Sequence, residues 1–250
     1  MVDLSLAYTE VQERLCAVLD ELNEVRANTR VPACPEWSVR DVVAHHCGLV
    51  VDVASANTPE FFGSFNLLDQ WRDDEVARAR DDLTGRQVAE REGRSLRSLV
   101  SEWREATVAL LPILRGDHPF PKSVPPIFSG VLINDVVVHE GDIRIALGLD
   151  QAPAGAALSV ALRGYGFSLD YRIKMLGLPP LVLAYDGKAR QFGGESEPGA
   201  TLSATRFDLV RTLASRRTAT EILSLDWSGN PEPYVPILPE YGPVRNLTVG

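Results

Sequence analysis

Residues 134–147 read NDVVVHEGDIRIAL, and their polar members carry the spacing of coordination chemistry. On a helical period Asp135, His139 and Asp142, four and then three residues apart, leave one face of a helix together. Carboxylates and an imidazole set that way are metal-ligand types. Val136, Val137, Ile143 and Leu147 give the same helix an apolar flank, which puts the trio at the edge of a core. An Asp and a His four residues apart also make ordinary surface hydrogen bonds. One helix cannot complete a coordination shell, so a cation site needs a second element to close it.

That second element is read from SVRDVVAHHCGLVVDVASAN, residues 38–57, which carries His45 and His46. The chain has 4 histidines, and all but His118 fall on these two segments. Helical phase leaves the choice between the neighbours open: Val42, His45 and Leu49 form one stripe, Val43, His46 and Val50 another. The start of the helix is better fixed. Ser38 reads as its N-cap with Asp41 placed to reach back, and Trp37 and Val42 stand at staple positions.

Around these helices, the apolar residues Leu4, Tyr8, Val11, Leu15, Leu19, Leu22 and Val25 predict one long amphipathic helix from Leu4 to about Ala27. It must end before VPACPEW, whose two prolines each remove a donor and restrict the preceding residue. Residues 58–83 are charged and weakly periodic, with Phe61, Phe62, Phe65 and Trp71 near the front, and read as a cap on one end of a bundle in preference to cover for a pocket mouth. Leu96, Leu99, Val100, Trp103, Val108, Leu110, Leu111 and Leu114 predict a third long helix. The proline-rich stretch 116–130 predicts a loop that leaves His118 in solvent. By helical phase Glu140 and Asp52 face away from the candidate ligands and are expected in solvent.

Beyond Gly148 the character changes. Residues 151–155 read as a linker and 156–176 as a helix ending at Gly177. LVLAYDGKARQFGG is a hairpin signal with its turn at Asp186-Gly187. A short strand and a helix follow in TLSATRFDLVRTLASRR, and Trp227 and Tyr234 in the tail are expected to pack onto this part. Helices alone followed by mixed elements divide the chain at 1–150 and 151–250.

At 250 residues, 45% hydrophobic and 24% charged, the chain can bury a substantial core. A formal net charge of −9 opposes general attraction to nucleic acid or anionic membranes. No apolar run approaches the roughly 18 residues of a membrane span. MVDLSLAYTE lacks the basic start of a secretion signal, so the cytoplasm is expected. Cys16, Cys34 and Cys47 form no CxxC pair, which fits a reducing compartment, and Cys34 and Cys47 read as small buried hydrophobes.

The run CPEWSVRDVVAHH, followed by DVVVHEGDIRIALG, resembles the mycothiol-dependent maleylpyruvate isomerase family. That resemblance implies an α+β protein: a DinB-like up-down four-helix bundle followed by a smaller α+β domain. It implies a divalent metal, usually zinc, held by a histidine of the second helix and by a Glu and a His of the fourth. Carried over, these are His45, Asp135 and His139, with Asp135 standing where the family pattern has Glu. Asp142 is then expected to accept a hydrogen bond from a ligating imidazole.

Two imidazoles and one carboxylate leave positions open, the arrangement of a catalytic cation, and a thiol of pKa near ~8.5 would ionise on binding there. The resemblance names that thiol as mycothiol and the reaction as isomerisation, or S-transfer, of a small electrophile. LVRTLASR resembles the family's LxxLLxGR segment, with Ser215 at the glycine and Arg216 at the arginine. Arg216, with Arg217 as its rival, is the expected cation for an anionic substrate. A helix C-terminus favours arginine for its dipole alone. The alternatives are a non-catalytic metal- or small-molecule-binding module and a metal-dependent hydrolase that needs no thiol. The partners expected are small molecules, and the chain is read as a monomer or homodimer.

Overall fold

The computed structural model describes residues 2–57, 72–121 and 128–242. Contacts divide them into two units: the first holds 2–57, 77–121 and 128–157, the second 72–76 and 158–242.

The first unit is built on four helices, α1 (Leu4–Asp20), α3 (Val39–Ala54), α5 (Leu96–Arg115) and α6 (Phe128–Ala146), with α1 and α3 each packed against both α5 and α6. Its core draws on one apolar stripe from each: Tyr8, Val11 and Leu15; Val43 and Val50; Leu99, Trp103 and Leu110; Ile133, Val136 and Ile143, all fully or almost fully buried. Away from the histidines of this core, two pairs of polar side chains satisfy one another. Trp103 Nε1 donates to Tyr8 Oη at 3.0 Å, and Gln12 Nε2 donates to Thr107 Oγ1 at 2.7 Å.

The helix expected over Leu4–Ala27 is two. It stops at Asp20, and α2 (Glu24–Ala27) restarts because the Asn23 side chain caps it by accepting from Arg26 N at 2.9 Å. Val25 is therefore outside the core stripe and 80% exposed. VPACPEW is non-helical as expected, with β1 (Arg30–Val31) and β2 (Cys34–Ser38) pairing antiparallel. Part of the weakly periodic stretch is a regular helix, α4 (Asp74–Ala89), whereas the Phe61–Trp71 cluster lies outside the described residues. Helix α6 begins inside the expected loop, and His118 is exposed.

The second unit holds all but the first two residues of α7 (Ala156–Met175), with β3 (Leu181–Tyr185), β4 (Lys188–Phe192), β5 (Ala200–Ser203), α8 (Arg206–Leu213), α9 (Ala219–Leu223) and β6 (Asp226–Gly229). The sheet order is β4-β3-β5-β6, with β3 and β5 parallel and the other pairs antiparallel. Asp186 and Gly187 both take positive φ, 49° and 71°, as a two-residue hairpin turn matched to strand twist requires. Trp227 does more than pack: it lies in β6, and its indole donates to Ile222 O at 2.8 Å. Tyr234 Oη donates to Pro179 O at 2.9 Å. Ser215 follows α8 with φ 58°, a left-handed conformation that costs a side-chain-bearing residue about 1–2 kcal/mol. That explains the glycine of the similar family segment, and Ser215 Oγ offsets the strain by accepting from Tyr241 N at 3.0 Å. Among the described residues no helix is long and apolar enough to cross a membrane.

Candidate metal centre

The position of the histidines on α3 is set at its first turn. Ser38 and Asp41 form the expected capping box, with Ser38 N donating to Asp41 Oδ2 at 2.8 Å and Asp41 N to Ser38 Oγ at 3.3 Å. Two turns later His45 and His46 are both turned inward, 4% and 1% exposed, so the choice that helical phase left open is not between a buried and a solvated ring.

Both rings meet α6 at Asp135. Its Oδ2 lies 3.3 Å from His45 Nε2 and 3.3 Å from His46 Nδ1, while Oδ1 is 3.6 Å from His139 Nε2. Ligand atoms of His45, Asp135 and His139 all fall within 4.8 Å of one another, and His46 is not part of that group. His46 instead stacks on Trp103, ring centroids 5.0 Å apart and 7° from parallel, which commits its ring to the core. The contacts to Asp135 Oδ2 have ion-pair distance without hydrogen-bond alignment, leaving that buried oxygen unsatisfied. A carboxylate ringed by imidazoles yet bonded to none of them fits a cation's seat.

Electrostatics agree with this geometry. Burial opposes charge on Asp135, but the His45 and His139 rings outweigh it and hold the carboxyl well below its usual range. Burial also opposes charge on His45, where Asp135 and then Gln87 prevail and raise the pKa. For His46 burial wins over Asp135 and brings the pKa down to about 4, keeping the ring neutral.

Asp142 is wholly buried, with Oδ2 3.1 Å from His139 Nδ1, again near but out of line for a hydrogen bond. Trp37, placed for a staple, lies beside the candidate ligands: its ring centroid is 5.3 Å from that of His45 and 6.3 Å from that of His139. Arg216 follows α8 in the second unit, half-buried, with Nη1 donating to Ala214 O at 3.0 Å.

Sequence reasoning missed the support behind His45. Gln87 of α4, fully buried, sets Oε1 2.8 Å from His45 Nδ1 and donates from Nε2 to Asp52 Oδ2 at 2.7 Å. Asp52 also accepts from Arg86 Nη2 at 2.9 Å. The orientation of the amide is thereby fixed, so in the neutral ring His45 Nδ1 carries the proton and Nε2 presents its lone pair toward Asp135. Gly48, one turn on from His45, makes room for this side chain, because a Cβ there would stand 2.5 Å from Gln87 Cβ. No spacing rule links Gln87 to His45 across 42 residues.

The expectation of solvent around Asp52 and Glu140 is corrected. Both are buried, 3% and 2% exposed, because each meets a cation from another helix. For Glu140 this is Arg14, in a two-point contact at 2.7 and 2.6 Å, joined by Arg144 of its own helix at 3.1 Å. Cys47 is buried as expected and Cys16 is buried too, whereas Cys34 is half-buried; burial raises the Cys16 and Cys47 thiols to about 11 and about 12.

Compared with known proteins, residues 8–144 match the family described as the mycothiol maleylpyruvate isomerase N-terminal domain. Two solved structures of the mycothiol-dependent maleylpyruvate isomerase, one of them a mutant, share the fold. Their TM-scores are 0.54 and 0.55 at 14% and 13% identity, each covering 86% of this chain and 88% of the other. No curated protein matches the chain.

Proposed function

Since the chain belongs to the mycothiol maleylpyruvate isomerase N-terminal domain family, we propose that it is a metal- and mycothiol-dependent enzyme, an isomerase or S-transferase acting on a small electrophile. The support is the convergence of His45, Asp135 and His139 within 4.8 Å around a carboxylate oxygen that no aligned hydrogen bond satisfies. A divalent cation held by these three, zinc being the expected one, supplies the Lewis acidity that ionises a thiol.

The remaining work belongs to the chain. His45, held in one tautomer by Gln87, offers Nε2, His139 offers its own Nε2, and Asp135 offsets the positive charge. Trp37 limits water at the two imidazoles. Asp142 steadies the His139 ring. Arg216 holds the substrate's anionic end as negative charge grows on its carbonyl oxygens. In this reading the protein works in the cytoplasm on small molecules, as a monomer or homodimer, with neither nucleic acid nor membrane as partner.

Metal content and thiol dependence test the proposal. Purified protein should carry about one divalent ion per chain, strongly reduced in His45→Ala and His139→Ala. Turnover of an electrophile should require mycothiol and fall in Arg216→Ala. Wild-type protein that folds and takes up no divalent ion would overturn it. Asp135, in place of the similar family's Glu, favours a second reading as a non-catalytic metal- or small-molecule-binding module that keeps the fold. Bound metal with no thiol-dependent turnover of any electrophile would select that reading.

A further inference from the structure

We propose a second cation seat on the far side of His139, made by Cys34 Sγ, His139 Nδ1 and the Asp142 carboxylate, for a soft divalent ion. Ligand atoms of these three residues lie within 4.8 Å of one another, the same closeness as in the His45 group. They come from different elements. Cys34 opens β2, where its backbone register against Val31 fixes it, and His139 and Asp142 stand three residues apart on α6.

The unsatisfied atom here is His139 Nδ1. It is buried and has no aligned hydrogen bond, although Asp142 Oδ2 is 3.1 Å away. Were Asp142 only steadying the ring, Nδ1–H should point at that carboxylate. Instead Nδ1 has no aligned partner while a carboxylate and a sulfur stand close by, and Cys34, in no disulfide, is half-buried. Sulfur, nitrogen and oxygen donors in that combination suit zinc, cobalt or cadmium, and three protein ligands leave one position open in a tetrahedron.

The two seats share one ring, and a neutral imidazole has a single lone pair. His139 therefore serves one seat at a time: through Nε2 toward Asp135 and His45, or through Nδ1 toward Cys34 and Asp142. Coordination in the second seat forms a metal–sulfur bond and releases the Cys34 proton to solvent, with no change of oxidation state. This inference shares His139 and Asp142 with the proposed function and needs no thiol cofactor.

Cobalt(II) reports on it directly, because a thiolate ligand adds a near-ultraviolet charge-transfer band that nitrogen and oxygen ligands lack. Full-length protein stripped with chelator is titrated with Co²⁺ without oxygen, in wild type and variants. In His45→Ala the competing seat loses a ligand and the band should grow above wild type; Cys34→Ser should abolish it in both backgrounds. Cys16→Ser and Cys47→Ser should leave it unchanged. If His45→Ala fails to fold, Asp135→Asn disables the same seat. Folded variant that binds Co²⁺ without a Cys34-dependent band overturns the second seat alone. Metal uptake indifferent to both His45 and Asp135, with the band intact, would instead count against the first.

Discussion

His45 Nδ1 and Gln87 Oε1 stand 2.8 Å apart in the buried interior of the first unit, and the Gln87 amide is held in that orientation by Asp52. The consequence is a histidine committed to one tautomer before any ligand arrives. Gln87→Leu keeps much of the volume and removes the acceptor. Metal affinity should fall roughly 10–100-fold, the range for loss of a ligand's supporting partner. Competition with a chromophoric chelator measures this, and the ¹⁵N shifts of His45 should reveal a mixture of tautomers. Unchanged shifts and affinity would mean that Gln87 only fills space.

Gly48 tests the same support from the opposite side. A methyl there would sit 2.5 Å from Gln87 Cβ and 2.6 Å from Cγ, closer than real side chains approach. Gly48→Ala should cost about 1–3 kcal/mol of stability, the usual penalty for overpacking, and should weaken metal binding as Gln87→Leu does. Urea unfolding gives the first quantity and chelator competition the second. Loss of stability with metal binding intact would separate Gln87's packing from its bond to His45.

What the sequence made legible was what lies within a turn or two. The capping box of Ser38 and Asp41, the Asp186-Gly187 turn and the shared face of Asp135, His139 and Asp142 are all local, and the structure contains each. Which elements meet is not local. Gln87 reaches His45 only because α4 lies against α3, and Trp37 reaches the candidate ligands because β2 packs against α3. Glu140 was assigned to solvent for the same reason: phase on α6 gives a direction but does not say that Arg14 on α1 waits there. The second helix α2 escaped notice because an asparagine cap interrupts a pattern whose apolar spacing continues.

Glu140 and Arg14 carry a stability prediction of their own. The Glu140 side chain is 3% exposed and that of Arg14 27%. Removing one partner of a fully buried ion pair costs about 3–5 kcal/mol. Arg14→Met should cost less, on the order of 2 kcal/mol, because Arg144 remains at 3.1 Å and Arg14 is partly wetted. Metal content per folded chain should not change. A variant as stable as wild type would show that Arg144 alone satisfies the carboxylate.

Acid sensitivity of the second unit should trace in part to Glu221. Burial would raise its pKa, but the Thr218 backbone and hydroxyl, donating at 2.7 and 2.8 Å, outweigh it and bring it below the ordinary 4.5. A carboxylate depressed on folding contributes stability that is full above 4.5 and is lost as pH falls through the lower folded value. Glu221→Gln keeps an acceptor for Thr218 and removes the charge. The unfolding free energy of the variant should therefore fall less steeply below pH 4.5 than that of wild type. Parallel slopes would place the acid sensitivity elsewhere.

Asp135 bears most on function, because its carboxylate faces three imidazoles: His45 and His46 at 3.3 Å and His139 at 3.6 Å. A side chain that only filled this space could be replaced by its isostere. A ligand could not, since an amide offers the cation no negative charge and one acceptor oxygen fewer. Asp135→Asn should thus fold with near-native stability and lose at least tenfold in affinity for zinc, by analogy with the roughly 10–100-fold lost when even a supporting residue goes. Asp135→Glu restores the charge on a longer arm. Its zinc affinity should lie between wild type and Asp135→Asn, because the added methylene must be housed beside the His46–Trp103 stack. Equal affinity in all three proteins, measured by chelator competition, would remove Asp135 from the coordination shell.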